Sequence, residues 1–274
     1  MEDRISISIE DGVADVRLVR ADKMNALDTR MFDAFIEAGE QLRNNPAVRV
    51  VVLSGEGRAF CAGLDMGNFA SMANKDAGAE DGSADKGVTA NKLATRTNGI
   101  ANKPQYAAWV WRELPVPVIV ALHGVALGGG FQVALGGDVR YAAPGTRMSV
   151  MEIKWGLVPD MAGTQLMRHL ARDDVVRELT YTGRIFEAEE AQSMGFVTRV
   201  VDDPLAAALE TARTIAGKNP DAIRADKKLL NESLYLDTVE GLILESELQD
   251  DIIGKPNQIE AVMAEMEGRP AVFS

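Results

Sequence analysis

Cysteine and histidine are scarce in this 274-residue chain, which has one Cys at position 61 and two His at 123 and 169. A lone thiol excludes an internal disulfide and suits a reducing, cytoplasmic compartment. So few soft ligands leave no cluster with zinc spacing, and no metal is expected. No apolar run approaches the roughly 20 residues needed to span a bilayer, so no membrane role is expected. Positive charge is in deficit too, with 29 Lys and Arg against 41 Asp and Glu, a net charge of −12. That balance argues against nucleic acid as a partner, because phosphate binding relies on clustered Lys and Arg. The opening residues Met1-Glu2-Asp3-Arg4 are acidic and lead straight into a strand pattern, without the look of a secretory signal.

What is present is a mixture of strand and helix signals. Ile5 to Ile9 alternates strictly, and Val13 to Leu18 follows after Asp11-Gly12, which predicts a hairpin. Leu27, Met31, Phe32, Phe35 and Ile36 recur at helical spacing behind a capping Asp28. Arg49–Leu53 and Val116–Leu122 are buried-strand runs, and Asp138–Ala143 and Gly195–Val201 complete the strand candidates. Strands interleaved with helical patterns predict an α/β core. Residues 71–104, rich in Ala, Asp, Gly, Lys and Asn, read as a loop or lid. From about 203 onward only helical patterns appear, dividing the chain into a core of residues 1–202 and a helical region of 203–274.

Three segments carry candidate chemistry. In Arg58-Ala59-Phe60-Cys61-Ala62-Gly63-Leu64-Asp65, Gly63 can adopt backbone angles that expose the Leu64 N–H. The glycine triplet Gly128-Gly129-Gly130 precedes a helical pattern, so its N–H groups meet a helix N-terminus that favours negative charge. It is neither a dinucleotide fingerprint nor a Walker loop. Glu152 and Asp160, eight residues apart on the irregular segment 148–164, are candidates to face one cleft; the alternative is that each is a surface acid, as most Glu and Asp are. His123 is expected to be structural and His169 solvent-facing. Cys61 has no histidine placed to activate it. Tyr106, Trp109 and Trp111 are expected to fill the core rather than line a tunnel.

Together, in this order, the three segments resemble the enoyl-CoA hydratase/isomerase (crotonase) superfamily, and Met24-Asn25-Ala26-Leu27-Asp28 and Gly163-Thr164-Gln165 add to the likeness. The resemblance runs from about residue 5 to about 235. It implies a spiral of ββα turns with a C-terminal helical region, assembled as a homotrimer or a hexamer made of two trimers. It also implies an acyl-CoA substrate, with coenzyme A as part of the thioester and no tightly bound cofactor. By the same resemblance, the N–H groups of Leu64 and Gly129 form an oxyanion hole and backbone near Ala62 meets the adenine. Lys23 and Arg58 are candidate counter-charges for the CoA phosphates, a local exception to the acidic surface.

The sequence departs from the hydratase pattern at one position. Hydratases of the family hold water between two glutamates; Glu152 matches the second, but Gln132 stands at the first. An amide orients water without exchanging a proton near neutral pH. The expected catalytic set is therefore Glu152, Asp160 and Gln132, with Glu152 as proton shuttle in double-bond isomerisation and Asp160 as orienting group or second acid. Hydration of a 2-enoyl-CoA is the competing reading. A non-catalytic binding protein of the same fold is the third.

Overall fold

The computed structural model describes residues 1, 3–65, 67 and 93–274. The hairpin forms as expected: β1 (Ile5–Glu10) and β2 (Val13–Leu18) pair antiparallel from Ile5↔Leu18 to Glu10↔Val13. Its turn residues Asp11 and Gly12 both have positive φ, 48° and 80°, the geometry that matches the twist of the flanking strands. Helix α1 (Thr29–Arg43) starts where Asp28 Oδ1 accepts from the Met31 N–H at 2.9 Å. Next come β3 (Val50–Gly55), α2 (Lys103–Glu113) and β4 (Val118–Leu122). Asn102 and Gln105 close a capping box at the start of α2, so the expected 71–104 loop ends there, and its residues 71–92 lie outside the described residues. Pro117 precedes β4 rather than lying within it, and its carbonyl accepts from Val51.

After β4 the chain alternates between two sheets. β5 (Val125–Leu127), α3 (Gly129–Leu135), β6 (Val139–Ala142) and β7 (Arg147–Ser149) lead to a 3₁₀ turn at Glu152–Trp155. α4 (Gly163–Met167), α5 (Asp173–Thr182), β8 (Phe186–Glu187), α6 (Ala188–Met194) and β9 (Arg199–Val200) follow. The larger sheet has the order β1-β2-β3-β4-β6-β9, parallel from β2 onward, and the smaller sheet is β5-β7-β8. From β4 onward the coils thus place strands in both sheets with helices between them, in keeping with the spiral of ββα turns that the resemblance implies. The strand expected over Gly195–Val201 is shorter than the apolar run. Gly195, at φ 99°, ends α6, and Phe196 turns into the core against Phe131 at 5.5 Å between ring centroids. Trp111 is fully buried and Tyr106 nearly so, as core-filling side chains should be.

Four helices close the chain: α7 (Pro204–Ala216), α8 (Pro220–Glu232), α9 (Thr238–Asp250) and α10 (Pro256–Glu267). Helix α7 lays Ala208, Ala212 and Ala216 against Val13, Val50, Val52, Ile119 and Ala121 of the larger sheet. The spacing of four puts the three small side chains on one face, which lets the helix approach closely. Beyond α7, large apolar side chains stay exposed: Leu230, Leu242, Ile243, Val262 and Met266 among them. Among the described residues no helix is long and apolar enough to cross a membrane.

The packing of α1 on α2 turns on Gly39, where an added Cβ would collide with the Val110 side chain. Helix propensity favours alanine over glycine by about 1 kcal/mol, but overpacking costs roughly 1–3 kcal/mol. Gly39→Ala is therefore expected to lower stability in chemical denaturation, and Val110→Ala on that background is expected to restore part of the loss. Two independent losses that simply add would contradict this packing.

Candidate functional site

The segment Phe60–Asp65 leaves β3 and is threaded between β5 and the loop before α1. Cys61 donates its N–H to Val125 and receives one from Leu127, while Leu27 donates to Gly63 and Asp65 donates to Leu27. These rungs hold the peptide between Gly63 and Leu64 against the start of α3. Gly63 has φ 86°, and a Cβ there would lie 2.6 Å from the Leu127 carbonyl and 3.8 Å from the Gly129 nitrogen. No side chain other than hydrogen fits. The N–H groups of Leu64 and Gly129 are thus neighbours, and among the described residues neither has a backbone acceptor. Gly129 is the first residue of α3, where the N–H has no partner within the helix. Two adjacent uncommitted N–H groups are what a developing oxyanion requires. The glycine triplet is not wholly ahead of its helix: Gly128, at φ 51°, caps α3, and Gly129 and Gly130 lie inside it.

Glu152 is brought to the same place. A Cβ on Gly128 would sit 3.4 Å from Glu152 Oε1. The Glu152 side chain is buried, and its Oε2 has no hydrogen-bond partner among the described residues. Burial pushes its carboxyl above the ordinary carboxylate range; its own backbone N–H and the Gln132 amide oppose that rise, and the nearby Asp160 adds to it. Asp160 is accessible from solvent yet surrounded by protein on most sides, and desolvation raises its carboxyl as well.

Gln132 is fully buried beneath them. Its Oε1 accepts two backbone N–H groups, from Met161 and Gly163, each at 2.9 Å. Its Nε2 donates to Glu152 Oε1 at 2.6 Å. Two N–H donors on one atom fix the amide orientation, so the remaining end must be the donor that meets Glu152. Sequence reasoning paired Gln132 with Glu152 but missed the Met161 and Gly163 anchors, which depend on a chain reversal no local pattern reveals.

Of the three residues expected at a CoA site, Lys23 and Arg58 are exposed and Ala62 is half-buried. Gly57 packs on Ala21 ahead of exposed Lys23, Arg58 follows on the exposed side, and the Ala62 N–H donates to Met24 at 2.9 Å. That N–H is therefore committed within the protein. Cys61 is buried, donates its thiol to the Asn25 carbonyl at 3.1 Å and is pushed up to about 12 by burial, so it is no nucleophile. His123 bonds the Gly57 carbonyl at 3.0 Å, a structural contact, and His169 is exposed against Tyr235. Among the described residues no group of His, Cys, Asp and Glu could hold a metal ion.

The profile of the family described as enoyl-CoA hydratase/isomerase matches residues 13–269. The chain belongs to the enoyl-CoA hydratase/isomerase family. It is 29% identical over 266 residues to mitochondrial methylglutaconyl-CoA hydratase of Mus musculus, covering 94% of this chain and 78% of that protein. It is 28% identical over 258 residues to peroxisomal Delta(3,5)-Delta(2,4)-dienoyl-CoA isomerase of Arabidopsis thaliana, covering 93% and 90%. The crystal structure of enoyl-CoA hydratase from Bacillus anthracis superposes with a TM-score of 0.86 at 28% identity, over 98% of each chain. This family member is accordingly an acyl-CoA enzyme with the crotonase fold, and both hydratases and an isomerase stand among its relatives.

Two substitutions test the site. Gly63→Ala would displace the Leu64 peptide, and kcat is expected to fall by about 10²–10³ with the fold retained by circular dichroism. Glu152→Gln keeps an acceptor for the Gln132 amide and removes a carboxyl whose pKa is raised by folding. Such a group favours the folded state below its unfolded pKa and loses that contribution as pH rises through the folded one. Glu152→Gln is therefore expected to raise Tm at pH 7 while abolishing activity, and to give no gain near pH 4. A lower Tm at pH 7 would contradict the cost assigned to the buried carboxylate.

Proposed function

We propose that this enzyme isomerises the double bond of an unsaturated fatty acyl-CoA through an enolate held by the N–H groups of Leu64 and Gly129. The observation that carries the reading is the engagement of Gln132 at both ends. Its oxygen faces two backbone donors and its nitrogen faces Glu152, so it neither binds water as a second acid would nor exchanges a proton. Glu152 is left as the one buried carboxylate among the described residues, with one oxygen fixed by the Gln132 amide and the other without a partner. A lone base of this kind can take a proton from one carbon of the substrate and return it to another, because isomerisation adds no water. Asp160, with a raised carboxyl of its own, orients the substrate or serves as a second acid. Coenzyme A is held along the rim of Ala62, with Lys23 and Arg58 facing its phosphates. No tightly bound cofactor is needed, since the backbone donors supply the charge stabilisation.

Hydration of a 2-enoyl-CoA is the second reading. It is favoured by Asp160, which could supply the acid that Gln132 cannot, and by the hydratases among the relatives.

The purified enzyme is incubated separately with a medium-chain 3-enoyl-CoA and a 2-enoyl-CoA, and the products are identified by mass and chromatography. The expected outcome is conversion of the 3-enoyl substrate to its 2-enoyl isomer without net water addition, lost in Glu152→Gln. Its rate should fall with decreasing pH, with an apparent pKa above the ordinary carboxylate range. Efficient formation of 3-hydroxyacyl-CoA that depends on Glu152 would give hydration first place. Gln132→Glu restores a second carboxylate and is expected to raise hydration relative to isomerisation. The exposed apolar faces of α8, α9 and α10 support assembly as a homotrimer or a dimer of trimers; light scattering is expected to give three or six times the 29.5 kDa chain mass.

A further inference from the structure

Away from the proposed active site, positive charge is buried with only partial compensation. Arg140, at the second position of β6, is 4% exposed and forms no ion pair among the described residues. Its Nε donates to the Phe196 carbonyl at 2.6 Å and its Nη1 to the Gly137 carbonyl at 2.5 Å. Neutral carbonyls satisfy geometry but do not balance a full charge. Burial pushes the Arg140 guanidinium down to about 10, and Arg112 adds to the fall against the opposing Asp138.

The one carboxylate nearby is oversubscribed. Asp138 Oδ2 accepts from Lys227 Nζ at 2.5 Å and from the Val118 N–H at 2.8 Å, and Arg112 approaches Asp138 Oδ1 only to 3.8 Å. Three cations thus share one anion, in a protein whose net charge is −12. Between them lies a cavity of about 40 Å³ whose walls include Arg112, Asp138, Arg140, Gln165, His169 and Tyr235. Asp138 is the one acid in its lining. The volume exceeds what a single water needs, roughly 10–15 Å³, and is far too small for a nucleotide or acyl chain. His169 at the mouth feels the same field: burial first, then Arg168 and Arg112, hold its imidazole below the ordinary histidine value.

We propose that this cavity binds one small monovalent anion, the size of a halide or formate, between Arg140 and Arg112. The anion neutralises the charge excess that Asp138 cannot. Gln165 and Tyr235 provide neutral donors at the mouth.

The two histidines make the test specific. Imidazole resonances of the full-length protein are followed as sodium bromide is added, with ionic strength held constant by sodium gluconate, whose anion is too large for the cavity. His169 is expected to shift saturably while His123, bonded to the Gly57 carbonyl, stays fixed. Sodium formate should compete with bromide at the same site. Arg140→Met is expected to weaken the response at least tenfold; if that variant does not fold, Arg112→Gln, at a more accessible position, is expected to weaken it as well. No saturable shift of His169, equal shifts of both histidines, or an undiminished response in Arg112→Gln would each overturn the site. So would a response that is absent in the assembled protein because a carboxylate of a second copy already fills the cavity.

Discussion

The proposed active site is organised around the amide of Gln132. A side chain with one accepting and one donating end joins three pieces of chain that are remote in sequence: α3, which carries it, the loop at Met161–Gly163, and Glu152 at the head of its 3₁₀ turn. A carboxylate in its place could receive the same two backbone N–H groups, but its other oxygen would face Glu152 with no proton between them unless one acid were protonated. The amide removes that conflict. It lets Glu152 stay buried with one oxygen oriented and the other without a partner, and leaves Asp160 as the neighbouring acid. Desolvation then raises the basicity of that carboxylate, which is the property the proposed proton shuttle needs.

The supporting structure serves the same placement. Parallel rungs from Leu27 to Gly63 and from Cys61 to Ala126 bring the Gly63–Leu64 peptide beside Gly129. The buried Cys61 thiol and the Asn25 side chain fill the space beneath, with Asn25 bridging the carbonyls of Glu56 and Ala59. The proposed donors thus rest on backbone positions fixed by pairing between two sheets, which tolerates wide variation in side chains. At 28% identity the superposition with a hydratase still covers nearly the whole chain.

Much of this was legible in the sequence because the signals were local. The hairpin followed from strict alternation around Asp11-Gly12, where both residues take the positive φ that such a turn demands. Asp28 and the apolar spacing behind it marked α1, and the family resemblance placed Leu64, Gly129 and Glu152 close to one another. What escaped was non-local. The strands β5, β7 and β8 have only two or three residues each, too short for any periodicity, and exist because neighbouring coils pair there. The run Gly195–Val201 reads as a strand from its apolar residues, but most of it serves to end α6 and bury Phe196. The tie of Gln132 to Met161 and Gly163 spans about thirty residues, and the charge excess around Arg140 emerges only when β6, α2 and α8 meet.

The position of α7 in the chain bears on how the protein is made. The face of the larger sheet formed by Val13, Val50, Val52, Ile119 and Ala121 is complete once β6 has been synthesised, yet its cover, Ala208 to Ala216, comes near the end. At ribosomal rates of about 5–20 residues per second, several seconds pass between the two. During that interval a nascent parallel sheet presents an uncovered apolar face. The late helix is therefore the closing cover of a surface laid down well before it.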